Sequence, residues 1–151
     1  MISDHDILEA VSSAVGSGRG VAIPVSGRSM GPNFASVRDI VVEPFDPSAI
    51  RLGNIIAFQR GGRWVVHRVM WKLRRAAGAF CITKGDNLCK LDRPYVRASE
   101  IKGIVAGLDT NGGVVNLKCT ARRLAGWYTV MRGWLTVGRS FLRASRHSTR
   151  S

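Results

Sequence analysis

Seven short segments rich in β-branched or alternating apolar residues occupy most of this chain, and they restrict it to a mainly β fold. Each segment is bounded by Gly, Pro or Asn, which favour turns. The predicted strands are Gly20–Val25, Ile40–Glu43, Asn54–Gln59, Arg63–Met70, Ala79–Lys84, Ile101–Gly107 and Gly113–Leu117. Gly61-Gly62 predicts a tight hairpin between two of them, and Asn111-Gly112-Gly113 predicts another turn. Short strands with few helical interruptions indicate an antiparallel, partly closed β-barrel.

Helical patterns flank this β region, so the chain divides into three parts. Residues 1–19 predict a short amphipathic helix, with acidic residues in its first turn and an end near Gly16-Ser17-Gly18. Residues 20–120 form the predicted β domain, and residues 121–151 predict a basic amphipathic helix and tail. The apolar face of this C-terminal helix is expected to carry Trp127, Tyr128, Met131, Trp134, Leu135, Phe141 and Leu142.

Three short motifs supply the parts of a nucleophilic acyl-transfer site in a fixed order along the chain. They are Ser26–Pro32 with Ser29, Trp64–Val69 with His67, and Thr83–Asp92 with Asp86 and Asp92. In such a site a hydroxyl attacks, an imidazole takes its proton, and a carboxylate holds the imidazole in the required tautomer. The chain is therefore predicted to be a serine endopeptidase.

These motifs resemble those of the signal peptidase I and SOS-repressor superfamily of serine peptidases over roughly residues 20 to 108. Ser-Met-x-Pro, His-Arg-Val and Lys-Gly-Asp-Asn are similar to the histidine-using branch, which includes archaeal and endoplasmic-reticulum signal peptidases. The resemblance implies a coiled β fold of the signal peptidase type. It also implies Ser29 as nucleophile, His67 as general base and Asp92 as the triad carboxylate, with Asp86 in a second acidic position.

The segment around the nucleophile is expected to bind the oxyanion and the substrate. Its candidate residues are Ser26, Gly27, Arg28 and Met30. Gly27 has no hydroxyl to contribute, so the Ser29 amide together with Ser26 is expected to stabilise the oxyanion. The substrate would be a peptide or protein precursor, bound in extended form beside a sheet edge. This chemistry requires no metal and no organic cofactor.

The net charge of +13 is concentrated near the end of the chain, where no acidic residue follows Asp109. The basic residues after it are Lys118, Arg122, Arg123, Arg132, Arg139, Arg143, Arg146 and Arg150. With the apolar helix face, they predict attachment to an anionic membrane surface through residues 122–146. Arg132 and Arg139 interrupt the apolar run, so this helix is not expected to cross a membrane. The alternative is that the aromatic face packs on the domain itself. Nucleic-acid binding is disfavoured because no known reading motif accompanies the arginines.

The first residues of the chain contain no long apolar run, so neither a secretory signal nor a membrane anchor is expected there. A cytoplasmic location, peripheral on the inner membrane face, follows as the expectation.

The chain has an odd number of cysteines, and none of them form a Cys-x-x-Cys pair: they are Cys81, Cys89 and Cys119. They predict free thiols and no disulfide framework or zinc site.

Three functional hypotheses remain open. The first is a processing endopeptidase that trims a precursor, with the membrane surface as its place of action. The second is a self-cleaving regulator, although that branch uses lysine and carries a DNA-binding domain, for which the first 20 residues are too short. The third is a catalytically silent module that keeps the fold and only holds a peptide at a strand edge.

Overall fold

The computed structural model describes residues 9, 11, 13–14, 16–24, 28–31, 34, 36–75, 78–110, 113–117 and 128–138 of the chain. These residues contain eight β-strands that belong to one sheet. The strands are β1 (Val21–Pro24), β2 (Val37–Glu43), β3 (Ile55–Arg60), β4 (Arg63–Arg75), β5 (Gly78–Lys84), β6 (Val96–Arg97), β7 (Ile101–Thr110) and β8 (Gly113–Asn116).

The strand order is β1-β2-β7-β3-β4-β5-β6, and every pairing is antiparallel. One edge of β7 pairs with β2, and its other edge pairs with β3 near Ile104 and with β8 near Thr110. The prediction of a mainly β, antiparallel fold is confirmed. Among the described strands the sheet is not closed, because β1 and β6 each pair with one neighbour. The barrel type therefore stays a prediction.

Glycine conformation explains the β3–β4 hairpin, which the sequence predicted at Gly61-Gly62. Both glycines have positive φ angles, 57° and 73°, and Arg60 pairs directly with Arg63. A two-residue turn with two positive φ angles matches the right-handed twist of the flanking strands, and glycine adopts it without steric cost.

Some strands are longer than the sequence predicted, and one was not predicted. β2 begins at Val37 and not at Ile40, because Arg38 and Asp39 hide the alternation at its start. β4 continues to Arg75, beyond an irregularity between Val69 and Trp71 that shifts the pairing register. β6 has only two residues, too few to show a periodic pattern.

The two faces of β3 pack into different hydrophobic clusters, and its first four residues are buried. Ile55 and Ala57 belong to the first cluster, whereas Ile56 and Phe58 belong to the second. The first cluster includes the residue after Ser29, Met30. Strands β3 and β4 pair directly, with Ile56 opposite His67. The rigid centre of the fold therefore supports both halves of the candidate site.

Helical geometry occurs at residues 9, 11, 13–14 and 16, and the buried Val11 joins this segment to the first cluster. The N–H of Arg19 donates to the Ala14 carbonyl (3.0 Å), and Gly18 between them has a φ of 80°, as at many helix ends. The N-terminal helix stays a prediction, because residues 1–8, 10, 12 and 15 lie outside the described residues.

Near the other terminus, residues 128–138 form a helix that packs on the sheet through Val130, against Met70 of β4 and Ile82 of β5. The alternative that its aromatic face packs on the domain is not supported by the described residues, because Tyr128 and Trp134 are exposed. Trp127, Phe141 and Leu142 of that predicted face lie outside the described residues. No helix in the described ranges is both long and apolar enough to cross a membrane.

Candidate active site

The segment after β1 carries Ser29 in a compact turn. The N–H of Gly31 donates to the Arg28 carbonyl (3.1 Å), and Gly31 has a φ of 73°. Met30 is only 4% exposed and lies in the first hydrophobic cluster, so it anchors the turn to the core. Ser29 is half-buried. A core side chain directly beside the serine holds this short turn in a defined place.

The other residues predicted to bind the oxyanion or the substrate differ in where the structure places them. Arg28 is exposed, so its side chain is accessible from solvent. Met30 was predicted to contribute to substrate binding, but its side chain is a core residue and does not line a surface. Its apolar character accounts for this difference, because burial of a methionine is favourable wherever the core has room for it. Ser26 and Gly27 lie outside the described residues.

The turn that follows β5 holds the Ser29 segment by hydrogen bonds from Asn87. The Asn87 N–H donates to the Ser29 carbonyl (2.8 Å), and the Asn87 side-chain amide donates to the Arg28 carbonyl (3.2 Å). Ser29 and the Lys-Gly-Asp-Asn motif, which are far apart in sequence, are therefore in direct contact. These bonds use main-chain carbonyls of the serine segment and leave the Ser29 hydroxyl for other contacts.

Gly85 occupies the point where the serine and histidine segments converge. A β-carbon at this position would lie 2.6 Å from the Ser29 carbonyl oxygen and 3.0 Å from Nε2 of His67. Contacts this short do not occur between real β-carbons and main-chain atoms, so any side chain here would force the segments apart. The absence of a side chain at Gly85 lets Ser29 and His67 approach the same small space.

The imidazole of His67 is held by a carboxylate, as the motifs predicted. Nδ1 of His67 lies 2.6 Å from Oδ2 of Asp92, and the hydroxyl of Thr83 donates to the same oxygen at 2.6 Å. The Asp92 N–H also donates to the Thr83 carbonyl (2.9 Å). The ring of Phe58 meets the imidazole edge-on, with 6.3 Å between ring centroids. Asp92 and its partner Thr83 thus fix one side of His67, and Phe58 packs on the ring.

This geometry determines which nitrogen of His67 can accept a proton. An ionised carboxylate only accepts hydrogen bonds, so the Nδ1 facing Asp92 carries a proton. In the neutral ring the other nitrogen, Nε2, is then unprotonated and basic. That nitrogen is the one beside Gly85 and the Ser29 main chain. The basic nitrogen of a neutral His67 therefore faces the serine segment.

The environment of Asp92 favours its charged form. Burial by itself would raise the pKa of this carboxyl, but the hydrogen bonds from His67 and Thr83 outweigh it and leave the pKa below its ordinary value. A carboxyl whose pKa is lowered by folding stabilises the fold at pH values above its unfolded pKa. That contribution is lost as the pH falls through the folded pKa.

The second predicted acid, Asp86, is paired with an arginine and not with the histidine. Arg68 donates from Nε to Oδ1 of Asp86 (2.9 Å) and from Nη2 to Oδ2 (2.7 Å), while its Nη1 donates to the Gly53 carbonyl (2.8 Å). Both side chains are at most 10% exposed. Such a bidentate pair fixes geometry strongly. Asp86 therefore ties the turn after β5 to β4, next to His67.

Lys84 is a buried cation beside this turn. Its ammonium donates to the main-chain carbonyls of Gly85 (3.1 Å) and Asp86 (3.4 Å). Burial lowers the pKa of Lys84, and the charge of Asp86 opposes this only in part. Its contacts identify Lys84 as a residue that braces the turn carrying Gly85.

Several contributors to the site were not assigned a role from the sequence, among them Thr83, Gly85 and Arg68. Thr83 and Gly85 lie inside the predicted Thr83–Asp92 motif, and Arg68 directly follows His67. Their positions next to predicted site residues indicated that they lie near the site. Their roles, however, depend on contacts between segments that are distant in sequence. Pairing of Arg68 with an acid could have been expected because buried arginines need anionic partners.

Other reactive groups in the described part of the chain do not form a second centre of this kind. Cys81 is a buried free thiol whose pKa is raised by burial, and Cys89 is an exposed free thiol. Cys119 lies outside the described residues. Among the residues that the structure describes, no cluster of three His, Cys, Asp or Glu side chains could hold a metal ion.

A comparison of the chain with models of known protein families finds no match, and comparisons with curated proteins and with solved structures find none either.

Proposed function

We propose that this protein is a serine endopeptidase that cleaves a peptide or protein precursor through Ser29, His67 and Asp92, on a coiled β fold of the signal peptidase type. One observation carries the proposal. The two ring nitrogens of His67 have different neighbours, with Asp92 2.6 Å from Nδ1 and the Ser29 segment beside Nε2 across Gly85. This is the arrangement that a general base needs when it serves a serine nucleophile.

In the proposed reaction, Nε2 of His67 takes the hydroxyl proton of Ser29 as its Oγ attacks the carbonyl carbon of the substrate. Asp92 stabilises the imidazolium that forms. The imidazolium then gives its proton to the leaving amine, and an acyl-enzyme remains. Water, deprotonated by the same nitrogen, hydrolyses that ester and restores Ser29.

The turn at Arg28–Gly31 supports a role for the Ser29 amide in stabilising the oxyanion. The internal hydrogen bond of this turn uses the amide of Gly31 and not that of Ser29. A main-chain N–H held in a rigid turn stabilises developing negative charge without reorganisation. The Asn87 bond to the Ser29 carbonyl keeps this amide in place.

The sheet offers an edge on which an extended substrate could lie. Among the described strands β1 pairs only with β2, and Ser29 follows β1 after a short connection. A peptide that adds to such an edge gains main-chain hydrogen bonds, which recognise an extended conformation with little dependence on sequence. Its scissile bond would reach Ser29 at the end of this edge.

The direct test is chemical modification of Ser29 by a panel of serine-reactive probes, including β-lactams, β-lactones and fluorophosphonates. We expect one covalent adduct on the folded protein, mapped by mass spectrometry to Ser29, and none on the denatured protein. A peptide library incubated with the protein should be cleaved at defined bonds. If no probe modifies Ser29 and the library stays intact, the proposal is wrong and a silent peptide-binding module is favoured.

A second prediction concerns Thr83, whose hydroxyl donates to the same Asp92 oxygen that faces His67. Thr83→Val removes this donor with little change of shape. The Asp92 carboxylate then attracts protons more strongly, so the protonated, inactive form of the His67–Asp92 pair persists to higher pH. We expect the acid limb of the kcat/KM profile to move to higher pH and the maximal kcat/KM to fall by about tenfold.

Thr83→Ser is the matched control because it keeps the hydroxyl. Thr83 is fully buried, so the serine variant should lose some stability through the missing methyl group. Its pH profile should nevertheless match that of the unchanged protein. If the valine and serine variants both have the pH profile of the unchanged protein, Thr83 acts only in packing and does not position the His67–Asp92 pair.

A further inference from the structure

The C-terminal helix, residues 128–138, is held on the sheet by its inner face. Val130 is 3% exposed, and Gly133 lies so close to β4 that a β-carbon there would be 2.6 Å from Cε of Met70. The same β-carbon would lie 3.8 Å from Cδ of Lys84, at the end of β5. This contact fixes which side of the helix faces outward.

The outer face carries an exposed apolar stripe. Tyr128 is 62% exposed, Met131 48%, Trp134 36% and Leu135 64%. These are four of the eight exposed large hydrophobic residues in the described part of the chain, so half of them lie on this one helix. Residues 128, 131 and 135 have the spacing of a single helix face, and 134 flanks it. Exposed apolar side chains concentrated in this way mark an interaction surface.

Electrostatics decides what kind of partner fits the stripe. Arg132 is exposed on the same helix, and eight basic residues but no acidic ones follow Asp109 in the sequence. A second copy of the chain would bring this positive charge against itself. Nucleic acid would satisfy the charge but would give Met131 and Leu135 little to bind. An anionic bilayer satisfies both features, because its headgroups attract arginine while its acyl boundary accepts apolar and aromatic side chains.

We propose that the exposed stripe of the C-terminal helix docks on the surface of an anionic lipid bilayer, with the helix axis parallel to the membrane plane. Met131 and Leu135 enter the acyl boundary, and Tyr128 and Trp134 lie at the headgroup level. Because the inner face of the helix contacts β4 and β5, docking also fixes the orientation of the sheet relative to the membrane. This binding does not depend on whether Ser29 is catalytic.

Sedimentation of the full chain with vesicles tests the proposal. Vesicles of phosphatidylcholine mixed with phosphatidylglycerol should bind the protein, vesicles of phosphatidylcholine alone should bind it far less, and added salt should weaken binding. The double variant Met131→Gln/Leu135→Gln should reduce partitioning by about tenfold or more, because two apolar side chains no longer enter the bilayer. Val114→Gln is the control: Val114 is 68% exposed on β8, outside the stripe, and its variant should bind normally.

Circular dichroism should show the same fold for all three proteins, since each substituted side chain is exposed. The proposal is overturned if the double variant binds anionic vesicles as well as the unchanged protein does. It is also overturned if the unchanged protein binds neither kind of vesicle. A dimer in analytical ultracentrifugation that the double variant dissociates would assign the stripe to a second copy of the chain, and would overturn it too.

Discussion

Replacing Ser29 with alanine should abolish peptide-bond hydrolysis by this protein and leave its fold unchanged. In the proposed mechanism the Ser29 oxygen forms the covalent bond to the substrate, and loss of the nucleophile in other serine peptidases lowers kcat by roughly 10⁶-fold. The fold should tolerate the change because the Ser29 contact with Asn87 uses the main-chain carbonyl, which alanine retains. Steady-state turnover of a cleaved peptide, measured beside circular dichroism, provides the comparison.

Ser99→Ala is a suitable control for this experiment. Ser99 is exposed in a short turn after β6, outside the three motifs that form the candidate site. Its variant should keep full turnover. Equal turnover by the Ser29→Ala variant would contradict the assignment of Ser29, and loss of turnover together with loss of the native spectrum would show a structural role.

The two carboxylates Asp92 and Asp86 should differ sharply when each is changed to asparagine. Asp92→Asn replaces the acceptor of His67 Nδ1 with an amide, which permits the wrong tautomer of the imidazole. A loss of ~10⁴-fold in kcat is expected, as for the equivalent change in other triads. Urea unfolding should show a loss of the stability that the charged Asp92 contributes, but a smaller loss than in Asp86→Asn, because no buried guanidinium is left unpaired.

Asp86→Asn should act mainly on stability. Asp86 pairs with Arg68 in a largely buried, bidentate arrangement, and removal of one partner leaves an uncompensated buried charge. Such losses destabilise proteins by on the order of 3 kcal/mol. The folded fraction should keep most of its kcat. If the Asp86 variant is folded but inactive while the Asp92 variant is active, the two roles are reversed.

The sequence predicted the strands where β-branched residues dominate, as in β3 and the first half of β4. It failed where pairing depends on distant partners. The second half of β4 follows a register shift at Val69 that no local pattern reveals. The two residues of β6 form a strand only because β5 lies beside them.

The candidate site shows the same division between local and long-range information. The contact between His67 and Asp92 was implied by the family resemblance of the motifs, and the structure brings the two side chains together. Met30 was placed at the substrate surface, although its burial depends on a core assembled from several strands. The function of Gly85 follows from the close approach of two segments, which no pattern within its own motif encodes.

For the C-terminal helix, the sequence predicted the apolar face but not the side that packs on the domain. Trp134 and Tyr128 are the largest described side chains of this pattern, so the aromatic face was the candidate for contact with either a membrane or the domain. Gly133 has a low intrinsic helix propensity. In the structure its missing side chain allows close contact with Met70, a property that only the tertiary arrangement reveals.

The position of β7 has a consequence for the order in which this protein can fold. β7 separates β1 and β2, which precede and follow Ser29, from the strands that carry His67 and Thr83. In a nascent chain, before residues 101–110 have been synthesised, no continuous sheet therefore joins the strands beside Ser29 to the strands that carry His67 and Thr83. Closing such long-range pairings is slow compared with forming local hairpins. A ribosome-bound fragment that ends before β7 should thus lack the proposed peptidase activity, which should arise only late in synthesis.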